Sequence, residues 1–275
     1  MYRFLIFITF ILAVTHVLSQ TYIPTKTEDS LFQLFDQFGK IRKVEESQEL
    51  NDSILVYMQE NLVDPITFTY RFDSLRKRAG ILDSGDGQFR IITWNIPVSV
   101  WEHEYYGIMQ VLDKESDSCR VFVLNNQINE IPDILHSETG SEMWPGALYY
   151  DIRRNKSGKD VFYTIMGFNF NDRWSDKKII EALHFDENMD PRFGKPVFNT
   201  PDGIQHRVVF EFSGDVAMSL RYNPNMKMIV YDHLEPIEPE LAAHPRFYAP
   251  DFSYDGYKFK RGMWEYRSDL DVRNR

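Results

Sequence analysis

Histidine and carboxylate side chains carry most proton-transfer and metal chemistry, and they crowd into one stretch of this chain, YDHLEPIEPE at positions 231–240. Asp232 and His233 are neighbours there, and Glu235, Glu238 and Glu240 follow. In a straight strand alternate residues share a face, so Asp232 points away from the side that Tyr231 and His233 share. The two then diverge and do not act together. The glutamates, spaced by three and then by two, fit neither one strand face nor one helix face. Pro236 and Pro239 favour an extended, polyproline-like segment with three residues per turn, which aligns Glu235 with Glu238. The stretch therefore reads as an acidic surface loop rather than a metal or acid/base site. No metal or other cofactor is expected.

A composite surface is the better candidate. NFNDRW supplies Asp172, Arg173 and Trp174 at a strand end, and PDFSYDGY supplies Asp251, Tyr254 and Asp255 in a turn-rich segment. With Asp232 and His233 they mix carboxylates and aromatics, the side chains that bind sugars or peptides. Paired carboxylates about 5–9.5 Å apart also hydrolyse glycosidic bonds. That keeps a hydrolase in view, with Asp232, Asp251 or Asp255 as acid/base groups. The plainer alternative is that Trp174 and Tyr254 are core or rim aromatics and the aspartates cap turns.

Other signals are weaker. HEYYG at His103 begins like a zincin motif, but Gly107 stands where the second histidine would face the metal. FDENMDPRFG offers Asp186, Asn188 and Asp190 in the first positions of a calcium loop, but Pro191 replaces the required glycine and Val197 the bidentate glutamate. It reads as a polar turn. The single cysteine, Cys119, lies among Val121, Phe122 and Val123 and reads as a structural thiol on a strand. G-x-S-x-G, P-loop, G-x-G-x-x-G and C-x-x-C motifs are absent.

The elements that position these residues are mostly strands. QFRIITWNI, HEYYGIMQVL, CRVFVLNN, GALYYDIRR, DVFYTIMGFNF, HRVVFEFSG, AMSLRYN and MKMIVYDHL are rich in β-branched and aromatic residues, and YDGYKFKRGMWEYR reads as a last hairpin. Turns such as NKSGKD and NPNM separate them at short intervals, which favours antiparallel pairing, since parallel strands need long crossovers. SDKKIIEALHFDEN is assigned to a strand, and NQINEIPDILHSETGSEMWPG to a long loop with one helical turn. In RVVFEFS, Val208, Phe210 and Phe212 share the core face, and Arg207, Val209 and Glu211 the mixed one. Two helices precede the strands. In the first, Thr25 and Glu28 have capping-box spacing and Leu31, Leu34, Phe35, Phe38 and Ile41 share a face. In the second, Leu50, Ile54, Tyr57 and Met58 recur until VDP. The expected fold is mostly β: a single antiparallel meander domain over 65–275, sandwich-like or propeller-like, with an N-terminal helical segment over 20–64.

Residues 1–19 read as a secretory signal peptide, with Arg3 before an apolar run from Phe4 to Val14 and small residues preceding a cut at Gln20. No later segment is apolar enough to span a membrane, so the exported chain is expected to be soluble. The formal net charge of −10 opposes phosphate backbones and argues against nucleic acid as a partner.

FRIITWNIP, GFNFNDRWSDKKIIEALHFDENMDPRFGKPVF, RVVFEFSGDVAMSLRYNP, IVYDHLEP and FYAPDFSYDGYKFKRGMWEY together resemble a group of uncharacterised secreted proteins of Bacteroidota. The similarity covers most of the chain after about Leu62. It implies a periplasmic or outer-membrane-associated location, or an extracellular one, and brings no biochemical activity. The expected function is binding of an envelope protein or a glycan without catalysis. The competing reading is a hydrolase of envelope polysaccharide.

Overall fold

The computed structural model describes residues 24–113, 116 and 118–272; the signal-peptide reading of 1–19 lies outside them. Helix α1 (24–37) and helix α2 (Val44–Asn61) are followed by a single helical turn, α3 (Pro65–Phe68), started by Pro65 and capped by the Asp64 carboxylate. α2 begins in the polar run before Leu50, earlier than the apolar pattern indicates. The capping-box reading fails: Thr25 lies inside α1. The Glu28 carboxylate instead accepts the backbone N–H groups of Ser74 and Leu75 and the Tyr70 hydroxyl, tying the helix to the chain beyond α3.

Among the described residues fifteen strands form three sheets, so the mostly β, sandwich-like expectation holds. The first is the meander β1 (Gly80–Asp83), β2 (Phe89–Pro97), β3 (His103–Asp113) and β4 (Ser118–Asn125). The second runs β11 (Arg207–Ser213), β7 (Ser175–Phe185), β6 (Asp160–Asn169), β5 (Leu148–Ser157), with β8 (Pro191–Phe193) on β7. The third runs β10 (Gly203–Gln205), β9 (Phe198–Thr200), β15 (Met263–Arg267), β14 (Tyr248–Lys260), β13 (Met228–Pro236), β12 (Leu220–Asn223). Among the strands described, β9 and β15 pair in parallel and the other pairs are antiparallel; an isolated parallel bridge also joins Asn126 and Trp144.

Alternation sorts the apolar side chains into layers. Phe89 and Ile91 of β2 meet Tyr163 and Ile165 of β6 in one core, while Ile92, Trp94 and Ile96 face the helices in another. On the opposite face of the second sheet, Phe162, Met166 and Ile180 meet Ile229, Tyr257 and Trp264 of the third. The second sheet is thus buried on both faces. That is why β6 reads as a nearly continuous apolar run, a pattern usual for sheets covered on both sides, while β7 buries Ile179, Ile180, Ala182 and Leu183 on either side of Glu181.

One ion pair sits inside this stack. Arg207 and Glu181 stand directly opposite in the β11–β7 ladder, both side chains wholly buried, with Nε 2.8 Å from Oε2. The guanidinium also donates to the carbonyls of Phe193 and Ile134, so it ties the loop before Thr139 to the sheet. The face that alternation assigns to Arg207, Val209 and Glu211 is mixed as expected, but Arg207 itself is wholly buried while Val209 and Glu211 are half-buried. The long loop itself holds two short turns, Ile128–Glu130 and Ser141–Met143, rather than one, and inserts Trp144 into the first core.

Two further local readings are reproduced. FDENMDPRFG is a turn in which Asp186 accepts the N–H groups of Asn188 and Asp190 and holds Arg192. Cys119 is buried, and that burial pushes its thiol up to about 11, out of the nucleophilic range.

Candidate functional site

β13 does not stop at Leu234 but continues to Pro236, pairing with β14 through an irregularity. Asp232 lies opposite Tyr254 and Leu234 opposite Pro250, so Asp251, Phe252 and Ser253 stand across from His233 alone. Such bulges bend a strand and re-aim its side chains. Phe252 takes a left-handed φ of 71° and is almost wholly exposed, and the Asp251 carboxylate caps the bend by accepting the N–H and hydroxyl of Ser253. The polyproline reading of the acidic stretch is corrected accordingly. Glu235 and Pro236 are strand residues, and Pro239 opens a short turn over Pro239–Leu241.

The bulge gathers a polar group around His233. Its Nδ1 lies 2.7 Å from Oδ2 of Asp255 and its Nε2 3.4 Å from Oε1 of Glu235. Asp255 is buried and accepts two further bonds, from the Tyr266 hydroxyl at 2.7 Å and the Asp269 N–H at 3.1 Å. Burial alone would lower the His233 pKa. The hydrogen bond and charge of Asp255, with Asp251 and Glu235 beyond, outweigh it and raise the imidazole above its ordinary value. Burial also raises the phenols of Tyr231, Tyr257 and Tyr266, which therefore keep their protons at neutral pH.

His233, Asp255, Tyr231, Tyr257 and Tyr266 line an open pocket of about 320 Å³ on the third sheet, together with Val208, Val209 and Phe210 of β11. Buried Tyr231 and Tyr257, half-buried Tyr266, and the polar His233, Asp255 and Gln205 contribute to its wall. Tyr231 also packs on Phe210, ring centroids 4.5 Å apart, which fixes the pocket against the second sheet.

The composite surface expected from sequence is divided. His233, Asp251 and Asp255 do come together. Asp232 diverges from His233 as alternation requires, its carboxylate accepting the Ser219 N–H at 2.7 Å. Tyr254 is a strand partner whose carbonyl accepts the Leu270 N–H. Asp172, Arg173 and Trp174 belong to the β6–β7 turn. Asp172 caps it by accepting the N–H groups of Trp174 and Ser175, and Arg173 lies over the exposed rings of Trp101 and Trp174. Among the described residues, these three share no hydrogen bond, ion pair or ring contact with the His233 group. Glu235, Tyr231, Tyr257 and Tyr266 were not singled out from sequence. Glu235 was legible, since it lies two residues from His233 and a strand puts such pairs on one face. Tyr266 was not, because only the β14–β15 hairpin brings it to Asp255.

His233, Glu235 and Asp251 each offer a ligand atom, all within 4.8 Å of one another. Two of the three are exposed carboxylates, and the raised imidazole pKa makes the proton a competitor for the nitrogen a metal would need. Zinc or calcium added to the purified protein is therefore expected to leave its melting temperature unchanged. A rise reversed by chelator would make this a metal-supported site. Comparison with family models, with curated proteins and with solved structures finds no match for this chain.

Proposed function

We propose that this is an exported, envelope-associated protein that binds a neutral glycan through the His233 pocket. The observation that carries the reading is the fixed polar group at the mouth of a small tyrosine-walled pocket. Aromatic faces stack on the apolar faces of sugar rings. The phenol hydroxyls, the imidazole and the carboxylates around it supply donors and acceptors for sugar hydroxyls. A concave pocket of this size suits a sugar ring better than the broad, flatter surface that a protein partner occupies. Asp202 and Asp255 line it, and Glu235 and Asp251 lie beside His233, so its surroundings are acidic, which disfavours uronates and phosphates. Export rests on the N-terminal leader pattern, and the envelope location on the resemblance to secreted proteins of Bacteroidota.

Binding is favoured over hydrolysis because the carboxylates are already committed. Asp255 accepts three hydrogen bonds, and Asp232 accepts from a backbone N–H. The Ser253 N–H and hydroxyl hold Asp251 below the usual carboxylate range, where it is a poor proton donor. Asp251 therefore lacks the raised pKa that a glycosidic general acid needs.

Calorimetric titration with neutral fragments of envelope polysaccharide tests the reading. Tyr266→Phe removes one hydroxyl and His233→Ala the imidazole, and each is expected to weaken binding by about tenfold, equivalent to about 1.4 kcal/mol. Unchanged affinity in both variants would contradict the pocket assignment. Turnover of any fragment that is lost in Asp251→Asn would restore the hydrolase.

A further inference from the structure

A second cleft, of about 430 Å³, opens between β5, the edge of the second sheet, and the strands of the third. Its lining contains five cations, Arg153, Arg154, Lys156, Lys227 and Lys258, and no carboxylate, on a chain whose formal charge is −10. Three of these cations are positioned by the protein. Arg154 pairs with Asp86 at 2.6 Å, and Lys258 donates to the Met226 carbonyl. The Arg153 guanidinium lies 4.4 Å from the centre of the Tyr222 ring, steadied at 3.2 Å by Asp151. A guanidinium stacked on a ring is held flat, and its fork of N–H groups matches carboxylate and sulfate oxygens in pairs. Lys156 and Lys227 are exposed and pair with no carboxylate among the described residues.

Lys227 adds an observation of another kind. It occupies a left-handed conformation, φ 54°, in the turn between β12 and β13, where glycine or asparagine fits with less strain. A long cationic side chain at a position better suited to glycine is not explained by the turn.

We propose that this cleft binds a polyanionic glycan, the acid groups meeting Arg153, Lys156 and Lys227. The site is separate from the His233 pocket, shares no lining residue with it, and does not depend on the reading of that pocket. Its size fits a short run of sugar rings. The acidic charge of the remaining surface repels the long phosphate backbone of a nucleic acid.

The test is binding of the purified protein to four probes: a short oligogalacturonate, a sulfated dextran, plain dextran and single-stranded DNA. At least one of the two acidic glycans is expected to bind, and which of them does identifies the acid group as carboxylate or sulfate. Plain dextran is expected not to reach this cleft. Lys156→Ala with Lys227→Gly should weaken binding at least tenfold. Lys227→Gly alone should weaken binding while keeping or raising the melting temperature, which a structural role for Lys227 would not do. Arg153→Lys keeps the charge but loses the fork, and is expected to weaken binding as well. Tyr266→Phe should have no effect on the acidic probes. Failure of both acidic glycans to bind, or equal binding by the lysine variants, would overturn the proposal. So would binding of the DNA alone.

Discussion

Replacing Arg207 by methionine is expected to destabilise the fold by about 3–5 kcal/mol, the cost of leaving one member of a buried ion pair without its partner. Glu181 would remain wholly buried beside an apolar side chain. The Ile134 and Phe193 carbonyls would also lose their donor, loosening the loop that Arg207 now ties to the second sheet. For a chain of this size the melting temperature should fall by roughly 6–20 °C. Burial already raises the Glu181 pKa, against the opposing pull of Arg207. Removing the cation raises it further, so the variant's deficit should be smaller near pH 5, where the carboxyl takes up a proton, than near pH 8. Pairing Arg207→Met with Glu181→Leu should recover much of the loss, because an apolar pair does not carry the desolvation penalty. A single-variant loss below about 1 kcal/mol would mean that water or another cation reaches Glu181.

The second large effect is at Asp255. Changing it to alanine leaves the Tyr266 hydroxyl, the Asp269 N–H and the His233 imidazole without their acceptor, and should cost about 2–3 kcal/mol. Part of that cost depends on pH. Because the folded-state pKa of His233 is raised, its pairing contributes fully below the unfolded value, about 6.5, and the contribution is lost as pH rises through the folded value. The difference in stability between the natural protein and Asp255→Ala should therefore shrink from about pH 6 to about pH 8. It should not vanish, since the bonds from Tyr266 and Asp269 do not titrate in that range. Burial lowers the pKa of His103, His184 and His206, so their contributions run the other way and are lost as pH falls. Taking the difference between the two proteins cancels them. Denaturant titrations across this range check the slope, and a difference that grows with pH would refute the pairing.

Strands were the most legible part of the fold, because a half-buried or fully buried strand leaves a local imprint of β-branched and aromatic residues. β7 is a strand, as the strand-like LHFD indicates despite a serine that could cap a helix. The stacking of three sheets was not legible. It depends on which faces meet, and only the burial of both faces of β6 and β7 reveals it. Short strands such as β8, β9 and β10 carry too few residues to show a period. The burial of Arg207 is hidden for a related reason: alternation assigns a face but does not say that the loop at Ile134 and the end of β8 at Phe193 close over it.

The site was legible in pieces. Alternation correctly separated Asp232 from His233. The same rule joins His233 to Glu235, but the prolines suggest a polyproline segment where β13 in fact continues to Pro236 and a short turn follows. Asp255 and Tyr266 reach His233 through strand pairing and a bulge, and no local spacing records either.

The central claim is that a sugar occupies the His233 pocket, and the imidazole itself is the most direct reporter. Protein labelled with ¹⁵N at histidine should be titrated with neutral envelope glycan fragments while the ring nitrogen resonances are followed by NMR. The His233 signals are expected to move with saturating dependence on the fragment, while those of His103 and His184 stay in place. If no fragment moves the His233 resonances, or if fragments bind and only other histidines respond, the pocket is not the glycan site.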